Sequence, residues 1–133
     1  IDRFVKENQD FTFTYIGRER GTFKNSTVVA PLSGVELGKA LGKHDVYVSA
    51  SAYENCPNHI LESLACEIPT YAISLGGASL DIVGPDHVFE SWEELKNILL
   101  TKNFAANEYT PASWQDSIVE YLDIYQHIKN RRI

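Results

Sequence analysis

Residues 45–73 read DVYVSASAYENCPNHILESLACEIPTYAI, and this stretch decides the fold. Val46-Tyr47-Val48 follows Asp45 as a strand that fades into the small residues Ser49-Ala50-Ser51-Ala52. Pro57 then opens a helix, a favoured first-turn position because its missing N–H would have been unpaired anyway. That helix runs to about Cys66 with Ile60, Leu61, Leu64 and Ala65 on one face, and Pro69 to Ile73 is the next strand. Strand, helix and strand in succession make a βαβ unit, whose crossover dictates parallel pairing.

The same alternation extends outward. On the amino-terminal side, Ile1 to Gln9 reads as the end of a helix, and Phe11 to Ile16 alternates as a strand stopped by Gly17. Arg18 to Asn25 is a polar loop, and Thr27-Val28-Val29 is a short buried strand that must end before Pro31. Gly34 to Lys43 is helical, with Val35, Leu37 and Leu41 as its apolar residues. On the carboxy-terminal side, Gly76-Gly77 makes a sharp turn, Ser79 is placed to cap a short helix around Leu80–Val83, and Gly84-Pro85 breaks it. Ser91 and Glu94 form a capping box for a helix ending near Lys102. A last helix from near Pro111-Ala112 spaces Trp114, Ile118, Tyr121, Leu122 and Tyr125 for packing. Residues 1–133 therefore read as a single α/β domain, a Rossmann-like parallel sheet flanked by helices. Such sheets bind ligands at the carboxyl ends of their strands.

Composition sets outer bounds. At 133 residues, 44% hydrophobic and 23% charged, the chain buries a core without disulfide or metal staples. Twelve Lys and Arg against eighteen Asp and Glu give a net charge of −6, which argues against a nucleic-acid partner. No apolar run approaches the roughly 18 residues that span a bilayer. Met is absent, which predicts an internal cut at Ile1-Asp2. Placed on one helix, Cys56 and Cys66 would stand about 15 Å apart, too far to bridge. Two free thiols point to a reducing, cytoplasmic setting.

Several familiar sites are absent from the sequence. There is no G-x-G-x-x-G, and Gly34 to Lys39 (GVELGK) lacks both the spacing and the hydroxyl of a phosphate loop. His44, His59, His87 and His127 show no metal-ligand spacing, so no metal or cofactor is expected. His44 and His87 read as surface residues. The loop and helix at Tyr53 to Cys66 are different. Glu54 follows a strand end, Pro57 starts a helix whose unpaired N–H groups suit an anion, and Asn58 and Glu62 share one stripe of that helix. A phosphate at the helix start with a carboxylate on either side suits a nucleotide sugar.

The block also resembles a family. Glu54 and Glu62 match the E-x7-E motif of retaining glycosyltransferases of the GT-B fold, in the large group 1 (family 4-like) set. The variant E-x-x-P-N-x-x-L-E with a following L-A-C and proline is carried by Glu54, Pro57, Asn58, Leu61, Glu62, Leu64-Ala65-Cys66 and Pro69. Gly76 to Val83 looks like that family's Gly-Gly turn and acidic residue, and Tyr15-Ile16-Gly17 and Asp45 to Val48 occur in its order. Asn55, Cys56, Glu67 and Asp81 stand where the family commonly has glycine, an aromatic, glycine and glutamate.

The resemblance implies the donor-binding, carboxy-terminal half of such an enzyme, with the first strand and the amino-terminal acceptor domain absent. The nucleotide-diphosphate sugar would be substrate, and transfer would be metal-independent and configuration-retaining. Glu54 would be the catalytic-site residue that meets the donor sugar. Asn55, Cys56, Asn58, His59, Gly76 and Gly77 would line the sugar and diphosphate. Glu62, Pro31 and Leu32 would hold the nucleoside. Any peripheral membrane contact would belong to the missing half. Arg18 and Arg20 follow a strand end within reach of a phosphate. The alternative is a catalytically inactive nucleotide-binding or interaction module of flavodoxin-like topology. A receiver domain is disfavoured, since no acidic cluster ends the first strand.

Overall fold

A computed structural model describes residues 1–18 and 22–131. The elements run α1 (Asp2–Glu7), β1 (Thr14–Ile16), β2 (Thr27–Val29), α2 (Gly34–Leu41), β3 (Tyr47–Ser49), α3 (Asn58–Ala65), β4 (Thr70–Ile73), α4 (Ser79–Val83), β5 (Val88–Phe89), α5 (Trp92–Thr101) and α6 (Trp114–Asn130). Every pairing among the described strands is parallel, as the βαβ pattern requires. They form two sheets, β1-β2 and β3-β4-β5, where the sequence suggested one. The two-residue β5 was not anticipated at all; a single 3₁₀ turn at Pro85–His87 delivers it from Gly84.

The central strand β4 is buried on both faces, and its one aliphatic hydroxyl, on Thr70, is hydrogen-bonded inside. Tyr71 packs with Phe4, Val5, Phe89, Leu95 and Leu99 under α1 and α5. Ala72 packs on the other side with Ile60, Leu64 and Val83 of α3 and α4. Layers of helix, sheet and helix result. The buried hydroxyls of Ser63 and Thr70 satisfy one another at 2.8 Å across the α3–β4 seam.

Beyond the start of β5, the side chain of Asn107 takes the place of a longer strand. Its Oδ1 accepts from the Thr70 N–H at 2.8 Å, and its Nδ2 donates to the carbonyls of Thr70 and Val83 at 2.9 Å each. His87, expected on the surface, is buried for a related reason. Its Nε2 lies 2.9 Å from the Ala105 carbonyl and its ring packs against Tyr71. His44 is likewise drawn in, with Nε2 2.9 Å from Thr14 Oγ1. At the other end of the chain, Asp2 ties α1 to the turn before β2. The Asn25 N–H above all, with the Ser26 hydroxyl and the Lys24 N–H, holds its carboxyl at about 2.

Capping follows the sequence at Ser91, departs from it at Ser79, and includes Ser113, which the sequence reading did not mark. Ser91 Oγ accepts from Glu94 N–H at 3.2 Å, and the Glu94 carboxylate reaches back to the N–H of Glu90 rather than of Ser91. Ser113 caps α6 by accepting from Asp116 N–H at 3.1 Å. Ser79 caps nothing: it is the first residue of α4, fully buried, and its hydroxyl has no partner among the described residues.

The end of α3 carries a cost. Ile68 N–H bonds to the Ser63 carbonyl and Glu67 N–H to the Leu64 carbonyl, the two bonds of a Schellman cap. That cap needs a left-handed residue, and Glu67 sits there at φ 57°. A side chain in this region costs about 1–2 kcal/mol, and glycine relieves it at some expense in unfolded-chain entropy. Glu67→Gly should therefore stabilise the domain by about 0.5–1 kcal/mol, read as a higher urea midpoint with an unchanged slope. A lower midpoint would contradict the cap.

Trp92 packs edge-on against Phe4 at 5.8 Å between ring centroids while staying 41% exposed. The last helix does not follow suit. No residue of α6 is buried, and Trp114 is 82% exposed. The helical spacing of its aromatics is real, but no described residue covers the face they make.

Candidate functional site

The carboxyl ends of β3 and β4 feed two loops that are bonded to each other. Tyr53 N–H donates to the Leu75 carbonyl at 2.7 Å, and Ala78 N–H donates to the Glu54 carbonyl at 2.9 Å. Tyr53 reaches this position at φ 60° with the residue 80% exposed, backbone strain of the kind that concentrates at binding loops. Glu54 and the Gly76-Gly77 turn are thereby brought together. The turn fits only without side chains. A Cβ on Gly76 would meet the Ile73 carbonyl oxygen at 2.9 Å, and one on Gly77 would meet the Glu54 carbonyl oxygen at 2.8 Å.

Pro57 stands one residue before α3 as its N-cap, with Asn58 the first helical residue, so Cys56 lies in the loop and not on the helix. The expected separation of the thiols by ten helical steps therefore does not apply. Both cysteines are nevertheless free, Cys56 exposed and Cys66 half-buried at the helix end. Cys56 Sγ approaches Asn58 Oδ1 at 3.5 Å, and Asn55 is exposed beside them. No described side chain caps the α3 N-terminus, but backbone carbonyls take most of its first N–H groups: Asn58 N–H donates to Cys56 and Ile60 N–H to Pro57, each at 2.9 Å, which leaves His59 N–H as the first-turn donor without an acceptor among the described residues.

Behind this mouth sits a chain of three polar side chains. Tyr47 Oη lies 3.3 Å from His59 Nδ1, and His59 Nε2 lies 3.7 Å from Glu54 Oε2. Burial, followed by the negative charge of Glu62, pushes the Tyr47 phenol up to about 12. Sequence spacing marks Glu54 and His59 but offers no signal for Tyr47. Its partner is twelve residues away and meets it only through packing of α3 on β3.

Glu62 faces elsewhere. It lines a shallow groove of about 200 Å³ between α3 and α2, opposite Gly34, Gly38 and Leu41. Pro31 and Leu32 lie in the loop that leads into α2, exposed and half-buried; α2 itself, not these two, lines the groove. Arg18 is exposed at the end of β1, its carbonyl accepting from the Tyr15 hydroxyl at 2.7 Å; Arg20 lies outside the described residues. Among the described residues, no three His, Cys, Asp or Glu side chains form a metal-sized cluster. Nor is any described helix long and apolar enough to cross a membrane.

Comparison with protein-family models, with curated proteins and with solved structures finds no match to this chain.

Proposed function

We propose that this chain binds a nucleotide-diphosphate sugar, as the Rossmann-like donor-binding half of a retaining GT-B glycosyltransferase. One observation carries the reading: Glu54 and the Gly76-Gly77 turn are bonded together at the uncapped mouth of α3, at the carboxyl ends of adjacent parallel strands. In this reading the His59 N–H and the Asn58 side chain hold the diphosphate, and the Asn58 N–H joins them by exchanging the Cys56 carbonyl for a phosphate oxygen. Glu54 accepts from sugar hydroxyls, and the bare Gly76-Gly77 backbone permits close approach. Glu62 in the α2–α3 groove takes the ribose hydroxyls, with Pro31 and Leu32 nearer the base. Transfer would use no metal. The helix mouth would stabilise charge on the departing nucleoside diphosphate, and a second domain would supply the acceptor.

The two carboxylates then do separable work. Glu62→Gln should weaken both the free nucleoside diphosphate and the nucleotide sugar by about ten- to a hundred-fold, roughly 1.5–3 kcal/mol for a charged hydrogen bond. Glu54→Gln should weaken only the nucleotide sugar. Calorimetry with uridine, guanosine and adenosine diphosphates and their sugars tests this, with circular dichroism confirming the fold of each variant. Equal losses on both ligands would overturn the division of labour.

The uncovered apolar face of α6 favours a second reading, a catalytically inactive nucleotide-binding or interaction module. The two diverge in the full-length protein, where the first predicts sugar turnover that Glu54→Gln abolishes and the second predicts none.

A further inference from the structure

We infer that His59 is a positioning residue for Glu54, with its tautomer set by Tyr47; this rests on the reading of Glu54 as the group that meets the donor sugar. The two ring nitrogens of His59 face different neighbours. Nδ1 faces the Tyr47 hydroxyl at 3.3 Å, and Nε2 faces the Glu54 carboxylate at 3.7 Å. A neutral imidazole carries one proton. If the proton were on Nδ1, the lone pair of Nε2 would point at a carboxylate oxygen, an unfavourable pairing. With the proton on Nε2, its N–H points at the carboxylate, and Nδ1 accepts from the phenol.

Tyr47 suits the donor's part. Burial and the nearby Glu62 keep its phenol protonated throughout the physiological range. The polar neighbours that face the ring are thus Tyr47 on β3 and Glu54 in the β3–α3 loop.

The Nε2 atom is shielded from solvent and has no hydrogen-bond partner among the described residues. A buried N–H with nothing to donate to is costly, and the Glu54 carboxylate stands 3.7 Å away. At 3.7 Å the contact is longer than a hydrogen bond. Glu54 keeps about one-third of its side chain exposed, and closing the gap by about half an ångström would complete the bond. One oxygen would then be held by His59, and the other would remain for a sugar hydroxyl. Catalytic and binding hydrogen bonds that are long in the free protein commonly tighten on ligand binding. The pair Tyr47–His59 therefore orients Glu54 without touching the ligand through its own ring.

Two measurements decide it. The first needs no ligand: long-range proton–nitrogen spectra of the neutral imidazole. The proton should lie on Nε2, with the Nδ1 resonance shifted by its hydrogen bond, and Tyr47→Phe should remove that shift. A proton on Nδ1, or a spectrum indifferent to Tyr47→Phe, overturns the inference.

The second is a double-mutant cycle read by calorimetry with UDP-glucose, GDP-mannose and ADP-glucose. His59→Phe should weaken the sugar that binds best by about ten-fold, and His59→Gln, which keeps an N–H in reach, should recover most of it. In a Glu54→Gln background His59→Phe should add little, since its effect passes through Glu54. An undiminished loss in that background would mean that His59 supports the loop merely as packing, and would overturn the inference. If none of the three sugars binds the unmodified chain, the proposed function fails, and the spectra alone decide the tyrosine–histidine pair.

Discussion

Asn107→Asp should cost about 3–5 kcal/mol of stability, more than the roughly 2–3 kcal/mol expected for Asn107→Ala. The two atoms exchanged are nearly isosteric, so the difference isolates chemistry from shape. Asn107 serves the Thr70 N–H with its oxygen and the Thr70 and Val83 carbonyls with its nitrogen. Alanine leaves one donor and two acceptors without partners. Aspartate keeps the first bond but turns a charged oxygen toward both carbonyls, and repulsion is added to the loss.

The sign of the pH dependence follows. Two facing carbonyls disfavour the charged carboxylate, so the new side chain's folded pKa is raised above its unfolded value near 4. The charge-dependent part of the penalty is absent below the unfolded pKa and complete above the folded one. Urea unfolding of both variants at neutral pH and near pH 4 measures it: aspartate should be the worse variant at neutral pH and recover on acidification. Aspartate matching the wild type at neutral pH would show that the amide is not oriented as described. The strand at stake is the one that delivers the Gly76-Gly77 turn, so the anchor also bears on the site.

What the sequence revealed and what it hid divide along the range of the interactions. Helices α2, α3 and α5 and strands β1 to β4 announce themselves through local patterning and caps such as Ser91, which act within a few residues, although β2, expected to be buried, leaves Thr27 and Val28 exposed and Val29 half-buried. The loops that carry Glu54 and Gly76-Gly77 were legible too, because a strand end, a proline and a glycine pair are all local punctuation. Strand β5 was not, since two residues cannot display a period, and its edge is completed by Asn107 from a polar loop with no pattern of its own. The burial of His87 depends on the Ala105 carbonyl eighteen residues away. Ser79 reads as a cap because serine so often is one, yet close packing of α4 places it inside. The case of α6 is different in kind. A hydrophobic stripe says that a helix has a face to cover, and it does not say with what.

Gly77→Ala should cost about 2–4 kcal/mol and should loosen Glu54 specifically. Two independent penalties meet at this residue. Its backbone lies in the left-handed region at φ 59°, where any β-carbon is strained. The added carbon would also stand 2.8 Å from the Glu54 carbonyl oxygen and 3.3 Å from its nitrogen. Neither atom can swing aside, since both are main chain and the carbonyl is held by Ala78 N–H at 2.9 Å. The loop bearing Glu54 must therefore retreat, and its tie to the turn lengthens or breaks. Gly34 provides the control, because it has a similar φ of 53° with no atom of the described residues within 4 Å of the place a Cβ would take. Gly34→Ala should thus show the conformational penalty alone, about 1 kcal/mol. Thermal and urea unfolding of the two variants separate the steric cost from the torsional one. If Glu54 meets the donor sugar, Gly77→Ala should also weaken nucleotide-sugar binding more than binding of the free diphosphate. Matching stability losses at positions 77 and 34 would mean that the two loops do not press together as described, and the juxtaposition on which the proposed site depends would fall with them.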